Sequence, residues 1–396
     1  MAFILNRQII GGIVPALLTV SILVEICFAQ NVPAYFVFGD SLVDPGNNNY
    51  IVSLAKANHI PNGIDFGMPT GRFTNGRTIV DIICKYANVN SILFVTIFSS
   101  GQELGFKDYL PPYLAPTTAG AVILRGVNYA SGGGGILNDT GKIFGGRLNL
   151  DAQIDNFANS RQDIISSIGA PEALTLFGKA VFFATIGSND FLDNYLTPVI
   201  SAVKQKLVTP NVFVGVMISR YRLQLMRLYN LGARKIIVAN VGPIGCIPYQ
   251  RDINLATGDE CVSFSNQLAQ LFNAELKSLI TDVSTNLQGS KFVYADAYSI
   301  VEDILKNYIS YGEYAEDFIA RSHRIGVLRM PIPLAGHFGG LTPCGPRSEV
   351  CNDRSKYVFW DPAHPSEATN VLIARRLMDG DTNDITPMNI RQFAQL

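Results

Sequence analysis

Residues 34–42 read Ala34-Tyr35-Phe36-Val37-Phe38-Gly39-Asp40-Ser41-Leu42. Five apolar side chains in a row, with no polar alternation, predict a short strand covered on both faces, as in the interior of a parallel sheet. The glycine closing the run, and the Asp-Ser pair after it, predict a sharp turn at the strand's carboxyl end. The same pattern returns at 126–130, 180–186, 235–241 and 291–295. Between these runs lie stretches of helical periodicity, most clearly 212–231, 264–287 and, near the end, 366–378. Alternating strand and helix predict an α/β fold, a parallel sheet with helices on both faces.

The predicted strands end on glycine or small polar clusters at 39–41, 131–135, 187–190 and 242–245. Ligands of open α/β sheets bind at the carboxyl ends of the strands, so these clusters are expected to converge on one rim. Ser41 is the candidate nucleophile there. Far along the chain stand Asp361-Pro362-Ala363-His364. The spacing lets Asp361 accept from the Nδ1 side of His364 and turn Nε2 toward Ser41. A serine, a histidine and an aspartate so arranged are what acyl transfer to a hydroxyl requires. Such a reaction also needs fixed donors for the oxyanion, each worth roughly 3 kcal/mol. Ser41 N–H, a backbone N–H of the Gly132–Gly135 run, and the amide of Asn189 are the candidates. Each also has a bland reading: Gly-Asp-Ser and the glycine run as tight turns, Asn189 as a turn residue, Asp40 as a brace for its own turn. Ser366 reads as the N-cap of the last helix.

Composition narrows the classes. The 396 residues carry 31 basic and 32 acidic side chains, a net charge of −1, which gives no footing for nucleic acid. Four histidines and no zinc-like Cys/His spacing predict no metal and no cofactor. The glycine run precedes no Gly-Lys-Ser/Thr and does not match G-x-G-x-x-G, which excludes the usual phosphate loops. The absence of G-x-S-x-G argues against the α/β-hydrolase fold. Residues 1–29 combine Arg7, an apolar run and the exit Cys27-Phe28-Ala29, the pattern of a secretory signal peptide, so no integral membrane anchor is expected after cleavage. Export makes disulfides plausible chemistry: Cys246–Cys261 and Cys344–Cys351 are the simple pairings, and Cys84 is left over. Asn138-Asp139-Thr140 is a glycosylation sequon. The remainder, 30–396, reads as a single domain.

Six segments carry a family resemblance: FVFGDSLVDPGNNN (36–49), GRFTNGRTIVD (71–81), GVNYASGGGGIL (126–137), IGSNDF (186–191), VANVGPIGCIP (238–248) and YVFWDPAHPSEA (357–368). In order and in content the chain resembles a plant-type GDSL esterase/lipase of the SGNH hydrolase superfamily. The resemblance implies a three-layer α/β/α sandwich around a five-stranded, flavodoxin-like parallel sheet. It implies Ser41, Asp361 and His364 as the catalytic residues, and Ser41, Gly133 and Asn189 as the oxyanion hole, with Gly132 as the alternative to Gly133. It implies a secreted, metal-free enzyme acting on small acyl esters or lipids. Two segments depart from the family pattern, the apolar 90–101 and the polar-then-basic 313–333. Both read as candidates for translated, unspliced sequence, a reading that transcript reads running continuously through them would remove. Ala363 stands where the family usually has a bulkier residue. The rival readings are an extracellular polyester-forming acyltransferase using the same residues, a binding or storage glycoprotein disabled by the irregular segments, and a protein held to a membrane by an uncleaved N-terminus.

Overall fold

The computed structural model describes residues 32–87, 109–197, 201–254, 260–307, 328–329, 345–346 and 348–396. Five parallel strands, β1 (Tyr35–Gly39), β2 (Gly126–Asn128), β3 (Val181–Thr185), β4 (Lys235–Ala239) and β5 (Lys291–Ala295), lie in the order β2-β1-β3-β4-β5. Each overlaps a strand expected from the sequence. The sheet departs from the expected five strands at one edge. A two-residue strand, Ile385–Thr386, pairs antiparallel with β5.

Seven helices of nine residues or more appear among the described residues: α1 (Ile79–Ala87), α2 (Leu150–Ile168), α3 (Ala170–Lys179), α4 (Pro210–Asn230), α5 (Ser263–Asn286), α6 (Ala297–Lys306) and α7 (Glu367–Asp379). They divide between the faces, as the alternation of the strand side chains dictates. Phe36 and Phe38 of β1, with Phe182, Ile236 and Val238, pack against α2, α3, α4 and α5. Tyr35 and Val37, with Phe183, Ile237 and Val293, pack against α1, α6 and α7. This gives three layers, and it explains why β1 is apolar at every position. Phe36 sits 5.1 Å from the rings of both Phe157 and Phe182. Burying one such side chain is worth about 1.5–3 kcal/mol.

The strand order places the candidate site. β1 lies between β2 and β3, so the loops after these three strands share one stretch of the carboxyl rim. Between β1 and β3 the order reverses, the switch point where open α/β sheets leave a crevice. Gly39, ending β1, has no room for a side chain: a Cβ there would lie 2.6 Å from the Thr185 carbonyl oxygen of β3.

The expected signal peptide and the irregular segment 90–101 lie outside the described residues, as does 313–333 apart from Leu328–Arg329, which pairs antiparallel with Glu349–Val350. Cys246 and Cys261 form the expected disulfide. The expected partner of Cys351, Cys344, lies outside the described residues. No helix among the described residues is long and apolar enough to cross a membrane.

Candidate active site

Ser41 follows β1 in a turn that Asp40 holds closed. Asp40 Oδ1 accepts the Leu42 N–H at 3.0 Å, and its carbonyl accepts the Val43 N–H at 3.3 Å. This is the bracing role the turn composition suggested. A second clamp comes from α2. The buried Gln153 donates Nε2–H to the Gly39 carbonyl at 2.7 Å and accepts the Gly39 N–H at 2.9 Å.

Asp361 and His364 arrive from the other layer, in the loop before α7. That loop is a tight return. Trp360 N–H donates to the His364 carbonyl at 2.8 Å, Phe359 and Pro365 form an antiparallel bridge, and the fully buried Trp360 donates Nε1–H to Asn62 Oδ1 at 3.0 Å. Ser366 then caps α7 by accepting the Thr369 N–H, as expected. The segment 71–81 fastens this loop to the turn after Ser41. Arg72 forms a two-pronged buried pair with Asp81, at 2.7 and 2.8 Å, and reaches the Pro45 carbonyl. Thr74 donates to the Pro365 carbonyl, and Arg77 pairs with Glu367 at 2.5 Å.

The result is a continuous chain of polar contacts. His364 Nε2 lies 2.7 Å from Ser41 Oγ, and Nδ1 lies 2.6 Å from Asp361 Oδ2 and 2.8 Å from Oδ1. Asp361 Oδ1 also accepts the backbone N–H groups of Ala363 and His364 at 2.8 and 2.7 Å. With a carboxylate against Nδ1, the imidazole carries its proton there and presents a lone pair at Nε2. Burial opposes charging His364, but the combined pull of Asp361, Asp40 and Asp193 outweighs it, with Asp361 contributing most of the pull. The net effect is a pKa above the ordinary 6.5.

The other expected residues stand on the loops that follow the strands on either side of β1. Asn189 begins the turn after β3 and is 8% exposed. Its Nδ2 donates one proton to the Gly134 carbonyl at 2.9 Å, which fixes the amide and leaves a second N–H. In the glycine run after β2, the Gly132 N–H goes to Asp44 Oδ2 at 3.0 Å and the Gly134 N–H to the Ser131 carbonyl at 3.0 Å. Among the described residues no hydrogen bond is made by the N–H of Gly133 or of Ser41. Gly133 has φ +78°, which favours glycine, and the Phe144 ring stands against it. Asn138, the sequon residue, is exposed.

Several residues of the site escaped the sequence reading. Phe73 spans it: its ring lies 5.1 Å from the His364 ring, and a Cβ on Gly132 would come within 2.6 Å of it. Asp190 holds the far end of the glycine loop, accepting from Ile136 N–H, Leu137 N–H and Thr140 Oγ1 at 2.9, 2.9 and 2.7 Å. Asp193 sits on a one-turn π-helix just after Asn189. Burial pushes Asp40 and Asp193 up to about 7, and Asp44 and Asp190 up to about 6. Phe73 and the two aspartates after Asn189 carry no local signal, since the groups they meet lie far off in the chain. Among the described residues no group of three or more His, Cys, Asp or Glu is placed to hold a metal.

Comparison with known proteins gives the family. Residues 35–377 match the family described as GDSL-like Lipase/Acylhydrolase. One GDSL esterase/lipase of Arabidopsis thaliana is 58% identical over 373 residues, covering 94% of both chains. A second from the same plant is 46% identical, covering 92% of this chain and 88% of its own length. A third is 47% identical, covering 92% of this chain and 91% of its own. A match that starts at β1 and runs through α7 takes in every element that builds the site. The chain belongs to the GDSL lipase/acylhydrolase family and is an ester hydrolase.

Proposed function

We propose that the protein is a secreted serine hydrolase that cleaves carboxylic esters of acyl groups through an acyl-enzyme. The observation that carries the reading is the 2.7 Å contact of Ser41 Oγ with His364 Nε2, backed by Asp361 on Nδ1. Ser41 Oγ attacks the ester carbonyl carbon while Nε2 takes its proton. Asp361 stabilises the imidazolium so formed. The oxyanion is met by the N–H groups of Ser41 and Gly133 and by the Asn189 amide. Collapse breaks the bond to the leaving alcohol, and Nε2 returns the proton to it. Water then repeats the sequence on the acyl-enzyme, frees the carboxylic acid and restores Ser41. Each step needs only groups of this chain and water.

Secretion is supported by residues 1–29, by the Cys246–Cys261 disulfide and by the exposed sequon at Asn138. On this reading 30–396 is the mature domain, and its N-terminus lies near Gln30. The test of the mechanism is Ser41→Ala in a p-nitrophenyl butyrate assay, paired with a fluorophosphonate probe. The wild type is expected to label at Ser41 and turn over the ester, and the variant to do neither. A variant as active as wild type would refute the assignment.

A further inference from the structure

Beside the loop that carries Gly133, the chain leaves four large apolar side chains in water. Tyr50 is 49% exposed, Val52 93%, Leu54 82% and Ile143 54%. They stand on two segments that pair as a short ribbon. Leu54 N–H donates to the Phe144 carbonyl at 2.8 Å, Gly146 N–H donates to the Val52 carbonyl at 2.8 Å, and Ser53 bridges Gly145 antiparallel. Alternate side chains of an extended strand share a face, so Val52 and Leu54 stand out together while Ser53 turns inward. The ribbon is tied to the active site. The Phe144 ring stands against Gly133, and Asn48, just before the ribbon, donates to the Gly132 carbonyl at 2.9 Å.

We infer that this ribbon docks the enzyme on a lipid surface, with Tyr50, Val52, Leu54 and Ile143 entering the boundary between headgroups and acyl chains. Two considerations favour a lipid surface over a protein partner. Four partly exposed side chains supply less than the roughly 800 Å² that each partner buries in a stable protein interface. Apolar side chains entering a bilayer boundary need no matching surface, and a tyrosine suits that depth because its ring is apolar and its hydroxyl stays wet. Position supports the same occupant. The ribbon abuts the loop of the site that acts on acyl esters, so the surface it touches is where such esters are concentrated. Lys142, next to Ile143, is paired with Asp139, so apolar insertion drives docking and an uncharged surface suffices.

The inference takes the location of the site from the reading of Ser41 as nucleophile, and the test separates the two. Wild type and a Val52→Ser/Leu54→Ser double variant are compared in sedimentation with phosphatidylcholine vesicles. Both are also assayed on soluble p-nitrophenyl butyrate and on emulsified p-nitrophenyl palmitate. The double variant is expected to lose at least tenfold in vesicle partitioning and in palmitate turnover. Butyrate kcat/KM should stay within twofold and the thermal midpoint should be unchanged, since both side chains are exposed. Wild type that stays in the supernatant, or a double variant that sediments equally well, overturns the docking inference. Wild type that sediments but turns over no butyrate counts instead against Ser41 chemistry.

Discussion

Asp44 holds the backbone N–H of Gly132, Oδ2 to N 3.0 Å, while its Oδ1 takes the N–H groups of Gly46 and Asn47 at 2.7 Å. One carboxylate therefore ties the turn after β1 to the glycine run after its neighbour β2. It also bears on which of two adjacent glycines serves the proposed oxyanion hole. Gly132 spends its N–H on Asp44, which leaves Gly133 as the glycine with an N–H to offer an oxyanion. Replacing Asp44 with asparagine keeps the size of the side chain but sets an amide NH2 against the Gly132 N–H. Because displacement of about 1 Å in a reacting group's surroundings can cost about 10²-fold, kcat is expected to fall ~10- to 100-fold with little change in KM. Steady-state kinetics on p-nitrophenyl butyrate checks this, and an Asp44→Asn enzyme with wild-type kcat would show that the clasp does not hold the site.

Asn189 is set by its own contact with that same loop. One proton of Nδ2 is committed to the Gly134 carbonyl, so the amide plane is fixed before substrate arrives. A donor prearranged in this way acts chiefly on the transition state, where charge sits on the oxygen, and removing one costs about 10²–10³ in kcat. Asn189→Ala is expected to show that loss with KM within about threefold, because the ground-state carbonyl gains little from the donor. A fall in KM-dependent terms alone, with kcat intact, would place Asn189 in ground-state binding instead.

The sequence showed what local pattern can show. Strands β1 to β5 are short runs bounded by glycine or small polar residues, and each was legible because burial on both faces removes the polar alternation. Ser41 and Asn189 stood out because each follows such a strand, and Asp361 and His364 because they stand one turn apart just before the last helical stretch. The edge strand Ile385–Thr386 was not, since two residues carry no period. Helices α2, α3 and α6 were missed as well. The face of α2 that meets solvent is rich in Asp, Asn, Gln and Ser, and its apolar stripe of Leu150, Ile154, Phe157 and Ile164 is interrupted by Arg161. The clamps were out of reach for a different reason. Gln153 on Gly39, Asp190 on the loop at 136–140 and Phe73 between Gly132 and His364 act across 50 to nearly 300 residues, and nothing near any of them in the chain announces its partner.

The buried acids around the site set stability and activity against each other as pH changes. Burial raises Asp40 and Asp193 to about 7 and Asp44 and Asp190 to about 6, from an ordinary 3.8. A group whose pKa is raised on folding adds stability that is fully present below its unfolded value and is lost as pH climbs through its folded value. For these four the loss runs from roughly pH 4 to above 7. His364, raised above 6.5, adds a loss of the same sign at the upper end. The carboxylates held low by cationic or hydroxyl partners, such as Asp65, Asp81 and Asp379, lose stability only as pH falls below about 4, so they do not offset this trend. The thermal midpoint is therefore expected to be higher near pH 5 than near pH 8. Turnover runs the other way, because Nε2 must be unprotonated to take the Ser41 proton, so kcat/KM should rise through an inflection above 6.5. Asp193→Asn removes one of the raised acids and part of the pull on His364. It should flatten the fall in thermal midpoint and move the kcat/KM inflection to lower pH. Scanning calorimetry and a pH–rate profile on both proteins read the two effects, and an unmoved inflection would show that Asp193 does not act on the imidazole.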